Sequence, residues 1–350
     1  MSRRTTASVV GFVLLVGCLL AAAVVPLPYT IYSPGPTVNL LGKSDKREII
    51  AVSGAKTYRD GGDLRLLTVV PTGPDDTVSL LGALSAWVRP DQAVYRKSDI
   101  YATDQTSDSV EEQGQVDMVD SQDSAVAAAL TQLGYTFTTS VQVLGIQRGG
   151  PGDGALEVHD QLVSVNGTAV SDIAGAVKDI QAVKPGSRVR LVVRRSGKTQ
   201  TLRVRTVASQ ADKTKSALEV TIGVGYDFPI DVDVRVGDNI GGPSAGMMIA
   251  MTVYDTLTPG SLTKGADVAG TGTIDAKGQV GGIGGIQQKL VAAQRAGARL
   301  FLAPADNCDE VRGGPYDSER MRVVKVSTLK GAIADVKAWT SDHDAKLPAC

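Results

Sequence analysis

An uncharged, apolar run from Val9 to Val25, preceded by Arg3 and Arg4, limits what this chain can be more than any other feature. About 17 apolar residues suffice for a helix to cross the hydrocarbon core of a bilayer, and the run reaches that length. Basic residues on its N-terminal side keep that end in the cytoplasm, so the chain after Pro26 is expected on the extracytoplasmic side of the cell membrane. The alternative is a cleaved signal peptide, with Ala21-Ala22-Ala23 offering small residues to a peptidase. A signal core is typically about 7–15 residues, shorter than this run, which favours an uncleaved single-pass anchor. Leu15-Val16-Gly17-Cys18 also looks like a lipoprotein processing site, but the apolar run continues well past Cys18, where a lipoprotein turns polar.

The 350 residues leave room for two folded domains beside the anchor. Hydrophobic residues make up 43% and charged residues 21%, the balance of ordinary globular proteins. A net charge of −1, with no basic block, gives nothing that would draw the chain onto a nucleic acid. No His-Glu-x-x-His helix and no Cys-x-x-Cys pair points to a metal, and no cofactor is expected. Only Cys308 and Cys350 lie beyond the anchor, and an oxidising compartment permits either a disulfide between them or two free thiols.

Along the chain, residues 1–26 form the cytoplasmic tip and anchor. Pro26, Pro28, Pro34 and Pro36 predict an extended juxtamembrane stalk over 27–60, since proline lacks the helical donor. Residues 61–135 read as a strand and helix region: a buried strand at Leu64–Val70, a polar and irregular stretch from Arg96 to Asp117, then a helix from Ser121 to Gly134. From 136 to 208 the pattern changes to short strands and glycine turns, with Asp160-Gln161-Leu162-Val163-Ser164-Val165-Asn166-Gly167, a helix at Ile173–Ile180 and a hairpin around Ser196-Gly197-Lys198. This unit resembles a PDZ domain, with His159 where that family usually has glycine. The resemblance implies capture of an extended peptide at a sheet edge, and puts a carboxylate-gripping loop near Leu133–Thr138.

The chemistry lies in 215–340, ahead of a tail at 341–350. Gly241-Gly242-Pro243-Ser244-Ala245-Gly246 follows the alternating Val232–Val236 and precedes an apolar helix from Met247 to Leu257. Ser244 therefore sits at a strand-to-helix corner, where the first helical N–H groups favour developing negative charge. Serine at such a corner also serves as an ordinary helix cap. A serine nucleophile needs a base, and the only histidines are His159, in the β-rich unit, and His343, in the tail. Lys289, opening a helix among Ile286, Leu290 and Val291 after Gly278-Gln279-Val280-Gly281-Gly282-Ile283-Gly284-Gly285, is a base if burial lowers its pKa.

The two blocks together resemble the proteolytic domain of the Lon protease family. Pro243-Ser244-Ala245-Gly246 matches its nucleophile motif, and Gly284-Gly285-Ile286-Gln287-Gln288-Lys289 matches its Gly-Gly-x-x-x-Lys base segment. The resemblance implies a Ser244/Lys289 dyad supported by Thr271, with Gly242 and Pro243 shaping the oxyanion corner. Gly241 stands where members of the family carry an acidic residue, and Gln287 and Gln288 replace charged ones. The Gly61–Val70 strand also resembles the opening of that domain, so the PDZ-like unit is either an insertion within the peptidase fold or a separate domain. The Gly-Lys-[Ser/Thr] tripeptides at 42–44 and 197–199 have Thr37 and Val192 where a phosphate-binding loop needs glycine.

The expected fold class is α+β: a Lon-type proteolytic domain with a PDZ-like β-rich domain, after one N-terminal transmembrane helix. The expected activity is ATP-independent serine endopeptidase cleavage of unfolded or flexible polypeptides, with homo-oligomers allowed by the resemblance. The rivals are an envelope adaptor that binds peptides without cleaving them and a regulatory subunit that delivers clients to another protease.

Overall fold

The computed structural model describes residues 3–237 and 240–350. In chain order the principal elements are α1 (Arg3–Val24), β1 (Tyr29–Asn39), β2 (Asp63–Pro71), α2 (Leu80–Trp87), β3 (Ala93–Arg96) and α3 (Ser107–Gln132). They continue with β4 (Thr138–Ile146), β5 (Gln161–Val165), β6 (Thr168–Ala169), α4 (Ile173–Gln181), β7 (Arg188–Arg195), β8 (Lys198–Arg205) and β9 (Val220–Asp227). Last come α5 (Gly246–Leu257), β10 (Asp267–Gly270), α6 (Ile286–Arg295), β11 (Leu300–Pro304), β12 (Arg322–Val326) and α7 (Leu329–Ser341). The fold is mixed helix and strand, preceded by one helix long and apolar enough to span a membrane.

Two six-stranded sheets organise it. The first runs β12-β11-β10-β2-β1-β3, parallel from β12 to β2 and antiparallel beyond. Strand alternation gives it two buried faces. Leu64, Leu66, Val268, Leu300 and Leu302 point to one, packed with α3, α5 and α7, whereas Leu67, Ala269, Phe301 and Ala303 point to the other, packed with α6. The second sheet runs β8-β7-β5-β4-β9, with β6 beside β5, around Val143, Val165, Leu191 and Val193. Its chain leaves the first sheet after α3 and returns through α5, so strands of the first sheet lie on both sides of it in sequence.

Several expectations are corrected. Residues 27–60 are not a stalk, because β1 is an interior strand of the first sheet. Its register shifts between Pro34 and Thr37, and that irregularity absorbs prolines that a regular ladder would reject. The Arg96–Asp117 stretch is not irregular throughout, since α3 begins at Ser107 behind a capping box formed by Thr106 and Ser109. The β-rich unit does not end at 208, because β9 completes its sheet and lies beside α4. The tail at 341–350 is held on the fold. Lys325 N–H donates to Pro348 O at 3.0 Å, Leu347 packs on the core, and Cys350 is bonded to Cys308.

The expected gripping loop at Leu133–Thr138 instead packs inward. Phe137 meets Phe228 edge-on at 5.1 Å, and Tyr135 also contacts the core.

Candidate active site

The site is built where a buried helix meets a tight corner. Residues 231–234 pair with 50–53, and Pro243–Ala245 then form a single 3-10 turn that runs into α5. Gly242, at φ 84°, makes the turn into Pro243 in a conformation that a side chain disfavours. Met247, Met248 and Ile249 anchor α5 in the core, so the corner cannot drift.

Hydrogen bonds fix the corner from two directions. From α3, Ser121 Oγ donates to Pro243 O at 3.0 Å, and Gly114 O accepts from Gly242 N–H at 2.7 Å. From the turn after β10, Thr271 Oγ1 donates to Ser244 O at 3.0 Å, Gly272 N–H donates to the same oxygen at 3.0 Å, and Gly272 O accepts from Met247 N–H. The departure at Gly241 has a steric reason, because a Cβ there would stand 3.1 Å from the backbone carbon of Gly114.

Lys289 comes from the opposite side of the site, on α6. Gly285 precedes that helix in the left-handed region at φ 69°, and a Cβ on it would fall 2.8 Å from Val69 Cγ1, so glycine is required twice over. Asn307 holds the preceding loop, accepting from Ile283 N–H at 2.9 Å and donating to Ile283 O at 2.8 Å. The Lys289 side chain is 1% exposed. Its Nζ lies 2.7 Å from Ser244 Oγ and 2.9 Å from Thr271 Oγ1. Burial brings the Lys289 ammonium from 10.5 down to about 7. The Thr271 hydroxyl gives its proton to Ser244 O, which leaves its lone pairs toward Nζ.

Ser244, Lys289 and Thr271 are thus brought together. Gly242 and Pro243 shape the corner but do not supply oxyanion donors, because the Gly242 N–H is already bonded and proline has none. His159 instead faces Asp123 at 3.5 Å, and His343 stacks on Trp339. Ser121, Gly114 and Asn307 went unrecognised as site residues. Asn307 lies beyond both motifs, and the two residues of α3 carry no local signal.

Comparison with known proteins bears on the same residues. The family model of the Lon protease (S16) C-terminal proteolytic domain matches residues 142–336, more than half of the chain. Lon protease of Azorhizobium caulinodans is 28% identical over 184 residues, covering 50% of this chain and 21% of that protein. Lon protease of Rhizobium meliloti is 29% identical over 189 residues, covering 52% and 23%. The chain therefore spans about a fifth of the length of these curated relatives. Among solved structures, the PDZ domain of an SdrC-like protein from Listeria innocua matches 24% of this chain and 92% of its own, at 17% identity and a TM-score of 0.22. With the match extending over more than half of its length, and Ser244 and Lys289 inside the matched residues, the chain belongs to the Lon protease (S16) proteolytic-domain family.

Proposed function

We infer that the protein is a membrane-anchored serine endopeptidase that works through a Ser244/Lys289 dyad without ATP. The observation that carries this reading is the 2.7 Å approach of Lys289 Nζ to Ser244 Oγ inside a site that holds the amine near neutrality. A neutral amine has one lone pair and two N–H groups. The lone pair takes the Ser244 proton as Oγ attacks the scissile carbonyl, while one N–H stays on Thr271. The Ser244 N–H meets the developing oxyanion, and the protonated lysine then returns its proton to the leaving amine. Water resolves the acyl-enzyme by the same relay.

ATP independence is supported by the two Gly-Lys-[Ser/Thr] tripeptides, neither of which has the glycine a phosphate-binding loop needs. Substrates are then unfolded proteins or flexible tails outside the cytoplasm. Among the described residues, the PDZ-like sheet leaves the outer edge of β9 unpaired beside α4, which suits strand addition by an extended peptide that is held for cleavage or gated from the site.

The test is cleavage of an unfolded protein by the full chain in lipid nanodiscs, without nucleotide, beside Ser244→Ala and Lys289→Ala. Loss of cleavage in both folded variants is the expected result. Cleavage that survives either substitution contradicts the dyad, and an inert wild type favours the adaptor.

A further inference from the structure

Helix α2 carries a stripe that a water-facing helix does not need. Leu80, Leu81, Leu84, Trp87 and Val88 recur at i, i+1, i+4, i+7 and i+8, which is one helical face, and each is at least 41% exposed. The opposite face, with Gly82, Ala83 and buried Ala86, turns toward the protein. Trp87 and Val88, at 79% and 80%, are among the most exposed large apolar side chains beyond α1. Contiguous apolar surface of this kind marks an interaction site.

The backbone says what lies against it. Pro26 and Leu27, the residues that leave the anchor, pair with Ser79 and Val78, the residues that enter α2. The first residue of the stripe is thus fixed at the level where α1 emerges, and α1 packs against α2. Val24 and Val25, at the end of the anchor and next to the paired Pro26 and Leu27, are exposed apolar side chains as well. Trp87 closes its far end and exposed Arg89 follows, the pairing of an amphipathic ring and a cation that suits the boundary between acyl chains and headgroups.

We propose that α2 lies in the interfacial layer of the same bilayer that α1 crosses, as a second membrane contact holding the proteolytic domain at a fixed height and orientation. Two points of attachment remove the swivel that a lone anchor leaves. The first sheet then stands directly on the membrane through β1 and β3, the strands next to α2. The inference rests on the membrane-anchored reading, so the two are measured separately.

The full chain is reconstituted into vesicles of phosphatidylcholine and phosphatidylglycerol, with or without lipid brominated near the headgroup end of its acyl chains. The chain has two tryptophans, and Trp339 is 4% exposed within the core, so Trp87 is the reporter. The expected result is loss of roughly half of the tryptophan emission in brominated lipid, abolished by Trp87→Phe. A fluorophore on Cys18, the free cysteine midway along the apolar run of α1, reports the anchor independently in parallel vesicles whose lipid is brominated near the ends of its acyl chains. Quenching at Cys18 without quenching of Trp87 overturns the proposal and leaves the anchor standing. Quenching at neither position overturns both. Trp87 emission that ignores bromine but varies with protein density in the membrane assigns the stripe to a second copy of the chain, and also overturns the proposal.

Discussion

Lys289 is the base in the proposed dyad, and its burial has a thermodynamic sign that can be checked. Its pKa is 10.5 as a free side chain and about 7 in the fold. Between those values the unfolded chain holds a proton that the native site has released, so stability rises with pH across that window. The cost is fully present below pH 7 and gone above 10.5, at about 1.4 kcal/mol for each pH unit crossed. Lys289→Met is therefore expected to raise the melting temperature at pH 6 and to bring little gain near pH 10. Melting curves at the two values check this, and a gain of equal size at both would contradict a depressed pKa. Thr271→Val removes both the acceptor for Nζ and a donor to Ser244 O. Unmaking bonds of this type costs about 1–3 kcal/mol, so kcat/KM is expected to fall about tenfold or more, with a shifted pH profile and a retained fold. At this scale the sequence was most legible, because Pro-Ser-Ala-Gly and Gly-Gly-x-x-x-Lys each confine one side chain to one place. Donor identity was not legible: that Gly242 N–H is taken depends on Gly114, more than a hundred residues earlier in the chain.

Helix α3 joins the two sheets. Gly114 and Ser121 grip the corner that carries Ser244, while Val116 packs so closely under β4 that a Cβ on Gly145 would fall 2.3 Å from it. Asp123, on the same helix, accepts from Gln142 Nε2 of β4 and faces His159. The Asp123 carboxylate raises the His159 pKa above 6.5, so the attraction is complete below 6.5 and is lost as the pH climbs through the raised value. Asp123→Asn is expected to speed amide exchange over 138–146 and 157–160 more at pH 6 than at pH 8, leaving α5 unchanged. An equal effect at both values would show that His159 takes no part. The polar first half of α3 concealed this role, since the residues that meet the corner are a backbone carbonyl at Gly114 and a small hydroxyl at Ser121. His159 adopts a left-handed φ of 70°, which explains why glycine is usual there.

For the whole molecule, pairing decides what composition left open. The prolines of 27–60 pointed to a stalk because proline statistics are local, whereas the interior place of β1 is set by β2 and β3. The division of the chain into blocks failed at β9 for the same reason, as its partner β4 lies some eighty residues upstream. The Cys308–Cys350 bond ties the C-terminal segment across a separation of 42 residues and suits an oxidising compartment. Loop-closure entropy puts its contribution at about 4 kcal/mol at most, so reduction is expected to lower the melting temperature by several degrees. Thiol titration of the native chain should find Cys18 alone, and three reactive thiols without reductant would contradict the pairing.

The most direct test of the central claim is the pH dependence of kcat/KM for unfolded-protein cleavage by the full chain, without nucleotide. If neutral Lys289 is the base, the rate rises about tenfold per unit at acid pH, levels off near pH 7, and vanishes in Lys289→Ala. A flat profile through pH 7, or cleavage that persists in Lys289→Ala, would show that Ser244 draws its reactivity from some other group.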